Sequence, residues 1–337
     1  MRKPDGNLVL LVMLIVILLI TGGIMSGGTY LSLFNIQSMG SQVPEIGFLA
    51  IGVMLAMCAG DGGIDLSGIA MANMAGVASG LFAMSIFPVA EAPILFTVTF
   101  AVGCMVVGLI GGALNGLIIS RLGITPILCT LGTQMLFTGI TVVLSSGRAV
   151  RIGSPEPLYE IGNGYFYDIP ISFLMFIAVA LVLGVVLRYT PYGVKLMMTG
   201  ANPKAAEFSG FSRFRIVTVT YALSGLLAGL AGLIIAARNV NVKWDYGTTY
   251  LLIAILVAVM AGVKPDGGHG RVINVVLSAI ILQLLSSLLN FIGLSNFVRD
   301  LAWGALLLCF LFVNRLALVD YFNTLLSSRR DPHASKT

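Results

Sequence analysis

Charged residues are scarce in this chain: Asp, Glu, Lys and Arg together make up 10% of it, while hydrophobic residues make up 58%. Soluble domains carry about 25% charged residues. The mean hydropathy of +1.00 therefore excludes an ordinary soluble protein and indicates an integral membrane protein. Apolar runs of about 20 residues, the length that spans a bilayer, recur along nearly the whole chain. We therefore predict a single membrane domain over residues 1–337.

The motifs of nucleotide, metal and nucleophilic chemistry are also missing. No Gly-x-x-x-x-Gly-Lys-Ser/Thr loop occurs, so the chain lacks a P-loop with which to hydrolyse a nucleotide. The four cysteines lie singly in apolar runs, apart from the two histidines, which predicts neither disulfides nor a metal site. No nucleophile and base occur in a pattern such as Gly-x-Ser-x-Gly. We expect no catalysis within this chain and no cofactor.

The apolar runs predict an all-α fold with about ten transmembrane helices. The first run follows Met1-Arg-Lys and no clear cleavage site comes after it, so we expect an uncleaved helix rather than a signal peptide. The predicted spans are 8–28, 46–59, 64–87, 94–120, 127–145, 171–188, 216–237, 248–263, 272–292 and 297–314.

Basic residues orient these spans. If the N-terminus is cytoplasmic, most of the 19 Lys and Arg residues fall on the cytoplasmic side, as the positive-inside rule requires. This predicts an even number of crossings with both termini inside. Because the net charge of +5 is concentrated in these segments, we predict no nucleic-acid partner. The cytoplasmic set is Arg2, Lys3, Arg121, Arg188, Lys195, Lys204, Arg213, Arg215, Lys264, Arg271, Arg315, Arg329, Arg330 and Lys336, and the external set is Arg148, Arg151, Arg238, Lys243 and Arg299.

The segment 189–215 is the most basic of the cytoplasmic loops between spans. Within it Asn202 is a favourable N-cap, Pro203 suits the first helical position, and Gly210 supplies a stop signal. We therefore predict a short surface helix of about two turns. Such a helix is either a docking element for a soluble partner or an ordinary solvated connection, and the residues alone leave both interpretations open.

A second polar stretch, Ala59-Gly-Asp-Gly-Gly-Ile-Asp-Leu-Ser-Gly68, joins the second and third spans. Its glycines permit a broken helix or a re-entrant turn, and Asp61, Asp65 and Ser67 are able to cap the helix that follows. Carboxylates next to dense apolar sequence are equally candidates for a polar path across the membrane. Both interpretations stay open. The candidate path residues are Asp65, Ser67, Asn73, Asn115, Thr130 and Gln134.

Two patterns concern packing and turns. Small residues at four-residue spacing in the fourth and seventh spans predict close helix–helix contact. The loop 263–271 repeats the Asp-Gly-Gly sequence of residues 61–63, which we interpret as shared turn chemistry rather than duplication. The stripes of small residues are Gly108, Gly112 and Gly116, and Gly225 and Gly229.

Mid-span Lys and Arg are absent and carboxylates are predicted near span ends. The proton relay of a secondary transporter therefore lacks its parts, while sodium coupling through carbonyl and hydroxyl groups stays open. The longest external segment, 145–170, mixes charged and aromatic residues. This composition suits a rim that meets a soluble partner, and equally any loop at a membrane interface.

Four stretches resemble the permeases of bacterial ATP-binding-cassette (ABC) importers for monosaccharides, of the ribose, xylose and galactose kind. The resemblance implies a type II importer permease of the inner membrane that translocates a sugar or sugar-like solute. It also implies a cytoplasmic ABC ATPase, a periplasmic solute-binding protein and a second permease in a homodimer or heterodimer, with membrane lipid around the permeases. The stretches are Gly62-Gly-Ile-Asp-Leu-Ser67; Asn115-Gly-Leu-Ile-Ile-Ser-Arg-Leu-Gly-Ile-Thr-Pro126 with Thr130-Leu-Gly132; Tyr192-Gly193 with Gly200-Ala-Asn-Pro-Lys-Ala-Ala206 and Gly210; and Tyr221-Ala-Leu-Ser-Gly-Leu-Leu-Ala-Gly-Leu-Ala-Gly232.

The same resemblance implies that residues 202–209 form the coupling helix that docks on the ATPase. Three stretches depart from the family pattern, namely Gly68-Ile-Ala70, Tyr250-Leu-Leu-Ile-Ala-Ile255 and Gly262-Val-Lys-Pro-Asp266. The solute therefore stays open among sugars, nucleosides, branched-chain amino acids and quorum-signal sugars, beside a sodium-coupled carrier or a scaffold without flux. The residues expected to couple to the ATPase are Gly200, Asn202, Pro203, Lys204, Ala205, Ala206, Glu207 and Gly210.

Overall fold

The computed structural model describes residues 6–315, and this part of the chain is almost wholly helical. Within it, four two-residue strands form two small antiparallel pairs, β1 (Val150–Arg151) with β4 (Asn241–Val242) and β2 (Tyr165–Phe166) with β3 (Ile169–Pro170). The α-helices are α1 (Gly6–Met25), α2 (Leu33–Cys58), α3 (Gly68–Ile86), α4 (Pro93–Leu122), α5 (Pro126–Ser145), α6 (Glu156–Asn163), α7 (Ile171–Tyr189), α8 (Pro191–Ala201), α9 (Pro203–Phe208), α10 (Arg213–Asn239), α11 (Tyr250–Met260), α12 (Val272–Phe291) and α13 (Asn296–Arg315).

Within residues 6–315, eight helices are long and apolar enough to cross a membrane: α1 to α5, α7, α10 and α12. Helix α11 is apolar but only 11 residues long. Helix α13 covers the tenth predicted span. The prediction of an all-α membrane protein is confirmed.

The start of α2 differs most from the predicted spans. The helix begins at Leu33, well before the predicted start at 46. Ser32 caps its N-terminus, because the Ser32 hydroxyl accepts a hydrogen bond from the backbone N–H of Asn35. Polar residues and Pro44 in this first half lower the local hydropathy, which hid the helix. Pro44 has no N–H to donate to the preceding turn, but the helix continues through it because its surroundings are packed.

Helices α2 and α10 form the centre of the bundle. Of the most apolar 18-residue window in each helix, 83% is buried in α2 and 78% in α10, against 11% in α1. Helix α10 packs on α4, α2 and α3, and α1 packs on α12 at the periphery. Because α2 packs on α10, Glu45 of α2 lies beside Arg238 of α10.

The two glycine stripes meet where α4 crosses α10, so their predicted role in close packing is confirmed. A Cβ atom at Gly112 would overlap the carbonyl oxygen of Tyr221 and lie 2.8 Å from the Cα of Gly225. A Cβ atom at Gly108 would lie 2.9 Å from the backbone nitrogen of Gly229. In lipid, where apolar burial gives no net drive, such backbone contact holds helices together.

The connections predicted to be cytoplasmic lie together at one end of the bundle. The turn after α2 contacts α8 and the loop before α12. At the same end, the guanidinium of Arg121, in the last turn of α4, lies 4.5 Å from the ring centroid of Phe214 at the start of α10. Strands β1 and β4 pair two predicted external connections at the other end. The predicted termini with Arg2, Lys3, Arg329, Arg330 and Lys336 lie outside the described residues, and the absolute orientation stays a prediction.

We expect an impermeant maleimide to distinguish the two ends in intact cells. The background carries Cys309→Ser, which removes the exposed cysteine. In it, Tyr167→Cys should be labelled and Ser209→Cys should not, because Tyr167 is 86% exposed at the predicted external end and Ser209 is exposed at the predicted cytoplasmic end. Permeabilised cells, in which both variants should react, supply the control. The reverse pattern in intact cells would contradict the predicted orientation.

Candidate functional site

The predicted cytoplasmic surface helix is present as α9, Pro203–Phe208. The side chain of Asn202 accepts a hydrogen bond from the backbone N–H of Ala205 at 3.0 Å, as an N-cap does. Pro203 occupies the first helical position, where its missing N–H costs nothing. Helix α8 precedes α9 directly, so the loop holds two helices where the sequence predicted one.

The end of α9 is closed by a Schellman motif. The N–H of Gly210 donates to the carbonyl of Glu207 at 2.9 Å, and the N–H of Phe211 donates to the carbonyl of Ala206 at 3.0 Å. Gly210 adopts φ +78°, which a residue with a Cβ rarely does. Because both ends are hydrogen-bonded, this short helix keeps a defined shape.

One side of α9 is fixed to the protein and the other faces outward. Ala206 is 2% exposed, whereas Lys204, Ala205 and Glu207 are exposed. Phe208 is 93% exposed, an aromatic side chain that the sequence analysis did not single out. The sequence gave no clear signal for this exposure, because Phe211 and Phe214 follow closely and Phe208 could have packed on them.

Gly200, in the last turn of α8, is enclosed by the turn after α2 and the loop before α12. A Cβ atom at Gly200 would overlap the carbonyl oxygen of Cys58 and lie 2.7 Å from the nitrogen of Gly268. A Cβ atom would lie 2.8 Å from the Gly200 carbonyl oxygen if placed at Gly60, and 2.6 Å if placed at Gly267. We call Gly60, Gly200 and Gly267 the glycine junction.

The glycine junction brings the two Asp-Gly-Gly turns together. The N–H of Gly268 donates to the carbonyl of Cys58 at 3.2 Å, which ties the loop before α12 to the end of α2. Of the matching positions, only Gly62 and Gly267 share a positive φ, because Asp61 and Gly268 have one and their counterparts Asp266 and Gly63 do not. The two turns therefore differ in backbone conformation, and the sequence gave no sign that they touch.

Two side-chain contacts join the same region to α10. Asp61 forms an ion pair with Arg213, the first residue of α10, and both side chains are well exposed, so the pair adds little stability. The hydroxyl groups of Tyr192 and Thr220 lie 2.9 Å apart and link α8 to α10. Burial raises the pKa of Tyr192 to about 12, so its phenol stays protonated at physiological pH.

Asp65 is the centre of a buried hydrogen-bond network, which we call the inner cluster: Asp65, Ser67, Asn115 and Ser224. One carboxylate oxygen accepts from the N–H of Ser67 at 3.0 Å and from its hydroxyl at 2.7 Å. The other oxygen accepts from the hydroxyl of Ser224 at 2.7 Å. Asn115 donates to the hydroxyl of Ser67 at 2.8 Å. The cluster thus joins α3, α4 and α10.

The capping interpretation of the 59–68 turn holds only in part. Ser67 is the N-cap residue of α3, but its hydroxyl makes no hydrogen bond to the helix and donates to Asp65. Asp65 is 1% exposed, so the turn that carries it is not a surface cap. Asp61 lies outside the cluster and is exposed. A buried carboxylate that is hydrogen-bonded to Ser67, the N-cap residue of α3, and to Ser224 of α10 remains a candidate path residue.

Of the other predicted path residues, Thr130 belongs to this region and two do not. Thr130 is buried in α5, and its hydroxyl is within 3.1 Å of the carbonyl of Ile64 in the same turn. Asn73 donates instead to the carbonyls of Trp244 and Tyr246, at 3.2 and 2.9 Å, toward the external end. Gln134 is half-buried on α5 and is not hydrogen-bonded to the inner cluster.

Glu45 is a buried carboxylate that the sequence analysis missed. The prediction that carboxylates lie near span ends is wrong for this residue, because α2 extends past it and leaves it 1% exposed. Glu45 forms an ion pair with Arg238 of α10 and accepts a hydrogen bond from the hydroxyl of Tyr250 at 2.9 Å. We call Glu45, Arg238 and Tyr250 the outer cluster.

A narrow cleft between α2, α3, α10 and α11 borders residues of both clusters, although Glu45 and Arg238 do not line it. Its volume is about 10 Å³, room for one water at most, so the cleft is closed. Asp65 and Ser224 line one part of it and Tyr250 another. The remaining lining residues are Leu49, Val53, Gly68, Ile69, Ala228, Leu251 and Ala254.

The described residues hold no site for a metal ion. No group of three or more His, Cys, Asp or Glu side chains within residues 6–315 is arranged to bind one. The four cysteines are free, and three of them are buried among apolar side chains.

Buried polar clusters along a closed cleft, inside a bundle of membrane-spanning helices, define a multi-pass membrane transport protein. The family model described as "Branched-chain amino acid transport system / permease component" matches residues 22–312. The chain therefore belongs to this family of permease components and is a multi-pass protein of the bacterial inner membrane. The permease assignment agrees with the expectation that the chain is a transport subunit rather than an enzyme.

Curated relatives cover most of the chain. The "Ribose import permease protein RbsC" of Bacillus subtilis is 29% identical over 289 residues, 85% of this chain and 86% of that protein. The "L-arabinose transport system permease protein AraH" of Escherichia coli is 26% identical over 286 residues, 85% and 84% of the two chains. The "Autoinducer 2 import system permease protein LsrD" of Photorhabdus temperata is 28% identical over 269 residues, 77% and 78%. No solved structure matches the chain.

Proposed function

We propose that this chain is the membrane-spanning permease subunit of an ABC importer that carries a sugar or a sugar-like solute into the cell. Relatives named for ribose and arabinose transport support this solute class. The observation that carries the proposal is the α8–α9 segment. The chain has no P-loop of its own, yet it presents the capped helix α9 outside the bilayer, directly after α8, whose Gly200 touches the turn leading to Asp65 through backbone.

The partner at α9 is a cytoplasmic ABC ATPase. Ala205 offers a small surface that permits close approach, and Lys204 and Glu207 provide charges at its sides. Phe208 is the strongest anchor, because burying one phenylalanine side chain contributes about 1.5–3 kcal/mol. Hydrolysis of ATP takes place in that partner.

Movement of α9 reaches the cleft through a short series of contacts. Gly200 touches Gly60, the turn from Gly60 leads within a few residues to Asp65, and Asp65 is hydrogen-bonded to Ser224 on α10. A partner drives a conformational change only if its contacts differ between the two states. An ATPase that closes under α9 would therefore shift the inner cluster, and we propose that Asp65, Ser67, Asn115 and Thr130 line the solute path.

At the external end the partner is a soluble solute-binding protein. The β2–β3 hairpin exposes Tyr165, Phe166 and Tyr167, and such aromatic residues are frequent anchors in protein interfaces. The apolar outer faces of α1 and α5 meet lipid or a second permease, which is either another copy of this chain or a related one.

The docking surface is tested by co-purifying the ATPase with α9 variants. Phe208→Ser should reduce the ATPase recovered by about tenfold or more, because the anchor lost is worth roughly 1.5–3 kcal/mol. Ala205→Trp should act in the same direction by overpacking the contact. Phe166→Ser, which changes an exposed phenylalanine at the other end, is the control for ATPase recovery alone, because Phe166 belongs to the surface proposed for the solute-binding protein. Full ATPase recovery and full uptake of labelled D-ribose in both α9 variants would remove α9 from the mechanism.

A further inference from the structure

The outer cluster is not part of the contacts that lead from α9 to Asp65. Glu45, Arg238 and Tyr250 are joined by an ion pair and a 2.9 Å hydrogen bond toward the external end of the cleft. We propose that this cluster is a selectivity site for neutral, polyhydroxylated solutes, which contact it as they enter the cleft. The inference rests on the proposed transport function and adds the place at which solutes are discriminated.

Stability does not account for an ion pair at this depth. Glu45 is 1% exposed and the Arg238 side chain 22%. Removing charges from water costs several kcal/mol per ion, and apolar side chains of similar volume often hold a core together equally well. Ionisable residues inside a membrane-spanning segment are therefore functional candidates. Arg238 is the more accessible of the two and is the side chain that a solute from outside would meet first.

The groups of the outer cluster match the surface of a sugar. A carboxylate accepts hydrogen bonds from hydroxyl groups, a guanidinium donates to hydroxyl oxygens, and a phenol does both. The rings of Tyr246 and Tyr250 meet edge to face, with centroids 6.2 Å apart, and add apolar surface. Because the charges of Glu45 and Arg238 compensate one another, the site favours a neutral solute over an amino acid, whose two charges would have to compete with the pair.

The geometry of α2 and α10 puts the outer cluster at one end of the cleft. Glu45, Leu49 and Val53 follow one another at four-residue steps and so share a face of α2, and the last two line the cleft. On α10, Arg238 and the cleft residue Ser224 are about 21 Å apart at 1.5 Å per residue. A solute that passes the outer cluster therefore reaches the inner cluster after crossing much of the membrane.

The segment that carries Tyr250 enters the membrane from the external end. Helix α11 has 11 residues and is about 16 Å long, half of the hydrocarbon thickness of about 30 Å. Residues 240–249 therefore descend toward the cleft before α11 begins. They are held there by Asn73, which donates to two backbone carbonyls, and by Asn239, which donates to the hydroxyl of Tyr246 at 2.9 Å. Broken elements of this kind are common around solute sites in transporters.

The test compares Tyr250→Phe with Tyr159→Phe, which alters an exposed tyrosine of α6 at the same end. Each variant is expressed with the ATPase and the solute-binding protein, and maximal uptake rates of labelled D-ribose and L-arabinose are measured at concentrations that saturate the binding protein. We expect Tyr250→Phe to change the ratio of the two rates by about fivefold, the effect of one hydrogen bond. Tyr159→Phe should leave the ratio unchanged.

A second variant, Glu45→Gln with Arg238→Gln, removes both charges together and avoids leaving one buried charge unpaired. This double variant should also change the ratio of the ribose and arabinose rates, while the amount of permease in the membrane and the recovery of the ATPase stay normal. If the outer cluster were merely structural, the variants would lower the ribose and arabinose rates equally. An unchanged ratio of the two rates in Tyr250→Phe overturns the selectivity site. If the unaltered chain takes up no sugar from a panel of labelled monosaccharides, or takes up labelled L-leucine instead, the proposed function fails and the inference fails with it.

Discussion

Gly112→Val is expected to prevent the bundle from assembling. At this position a side chain would overlap the carbonyl oxygen of Tyr221 and press on the backbone of Gly225, and neither neighbour is a flexible side chain that can turn away. Helices α4 and α10 would have to separate, although α10 is the centre of the fold. Overpacking typically costs about 1–3 kcal/mol and occasionally more, and here the obstacle is backbone that cannot turn away. The measurement is the yield of monodisperse protein after extraction in mild detergent, which should fall to a small fraction of the unaltered level.

Gly132→Val is the matched control, because a Cβ atom at Gly132 meets nothing within 4 Å and the residue is exposed on α5. Its yield should stay close to that of the unaltered chain. Equal yields of Gly112→Val and Gly132→Val would contradict the close crossing of α4 and α10. Gly112→Ala should fall between the two, since a single methyl group already meets the carbonyl oxygen of Tyr221.

The sequence predicted the class of fold and this crossing well, because both follow from patterns within single helices. Length and hydropathy define a membrane span, and glycines four residues apart define a flat helix face. The same rules failed at α2, where polar residues and Pro44 broke the apolar run although the helix continued. The small helix α6 and the β2–β3 hairpin were also missed, since they are held by contacts with distant elements such as α10.

Prediction of the candidate site failed where partners are far apart in the chain. Asp65 was found because a carboxylate beside apolar sequence is unusual. Its partner Ser224 gave no signal, since a serine in an apolar helix commonly bonds to its own backbone. Glu45 was hidden for the same reason, because only the fold brings Arg238 and Tyr250 to it. The coupling and path roles of the named residues stay predictions.

Gly200→Ala is expected to uncouple the ATPase from transport while leaving both subunits assembled. The added methyl group would overlap the carbonyl oxygen of Cys58 and press on the nitrogen of Gly268, so the end of α8 must move away from the glycine junction. The outward face of α9, with Ala205 and Phe208, is on the far side and keeps its shape, because its own caps are unaffected. Binding of the ATPase should therefore survive although its movement no longer reaches Asp65.

The measurement pairs ATP hydrolysis with uptake of labelled D-ribose in one reconstituted preparation. We expect uptake per ATP hydrolysed to fall roughly tenfold in Gly200→Ala, as the loss of a coupling free energy of 1–3 kcal/mol would produce. Gly184→Ala on α7, where a Cβ atom meets nothing within 4 Å, should leave this ratio unchanged. Loss of the ATPase from Gly200→Ala would mean that the junction shapes the docking surface. An unchanged uptake per ATP hydrolysed would mean that the movement of α9 reaches the cleft by another route. Only a fall in uptake per ATP hydrolysed, with the ATPase still bound, supports transmission through the backbone contact at Gly200. If the junction were merely an attachment point, disrupting it would release the ATPase before it changed the coupling.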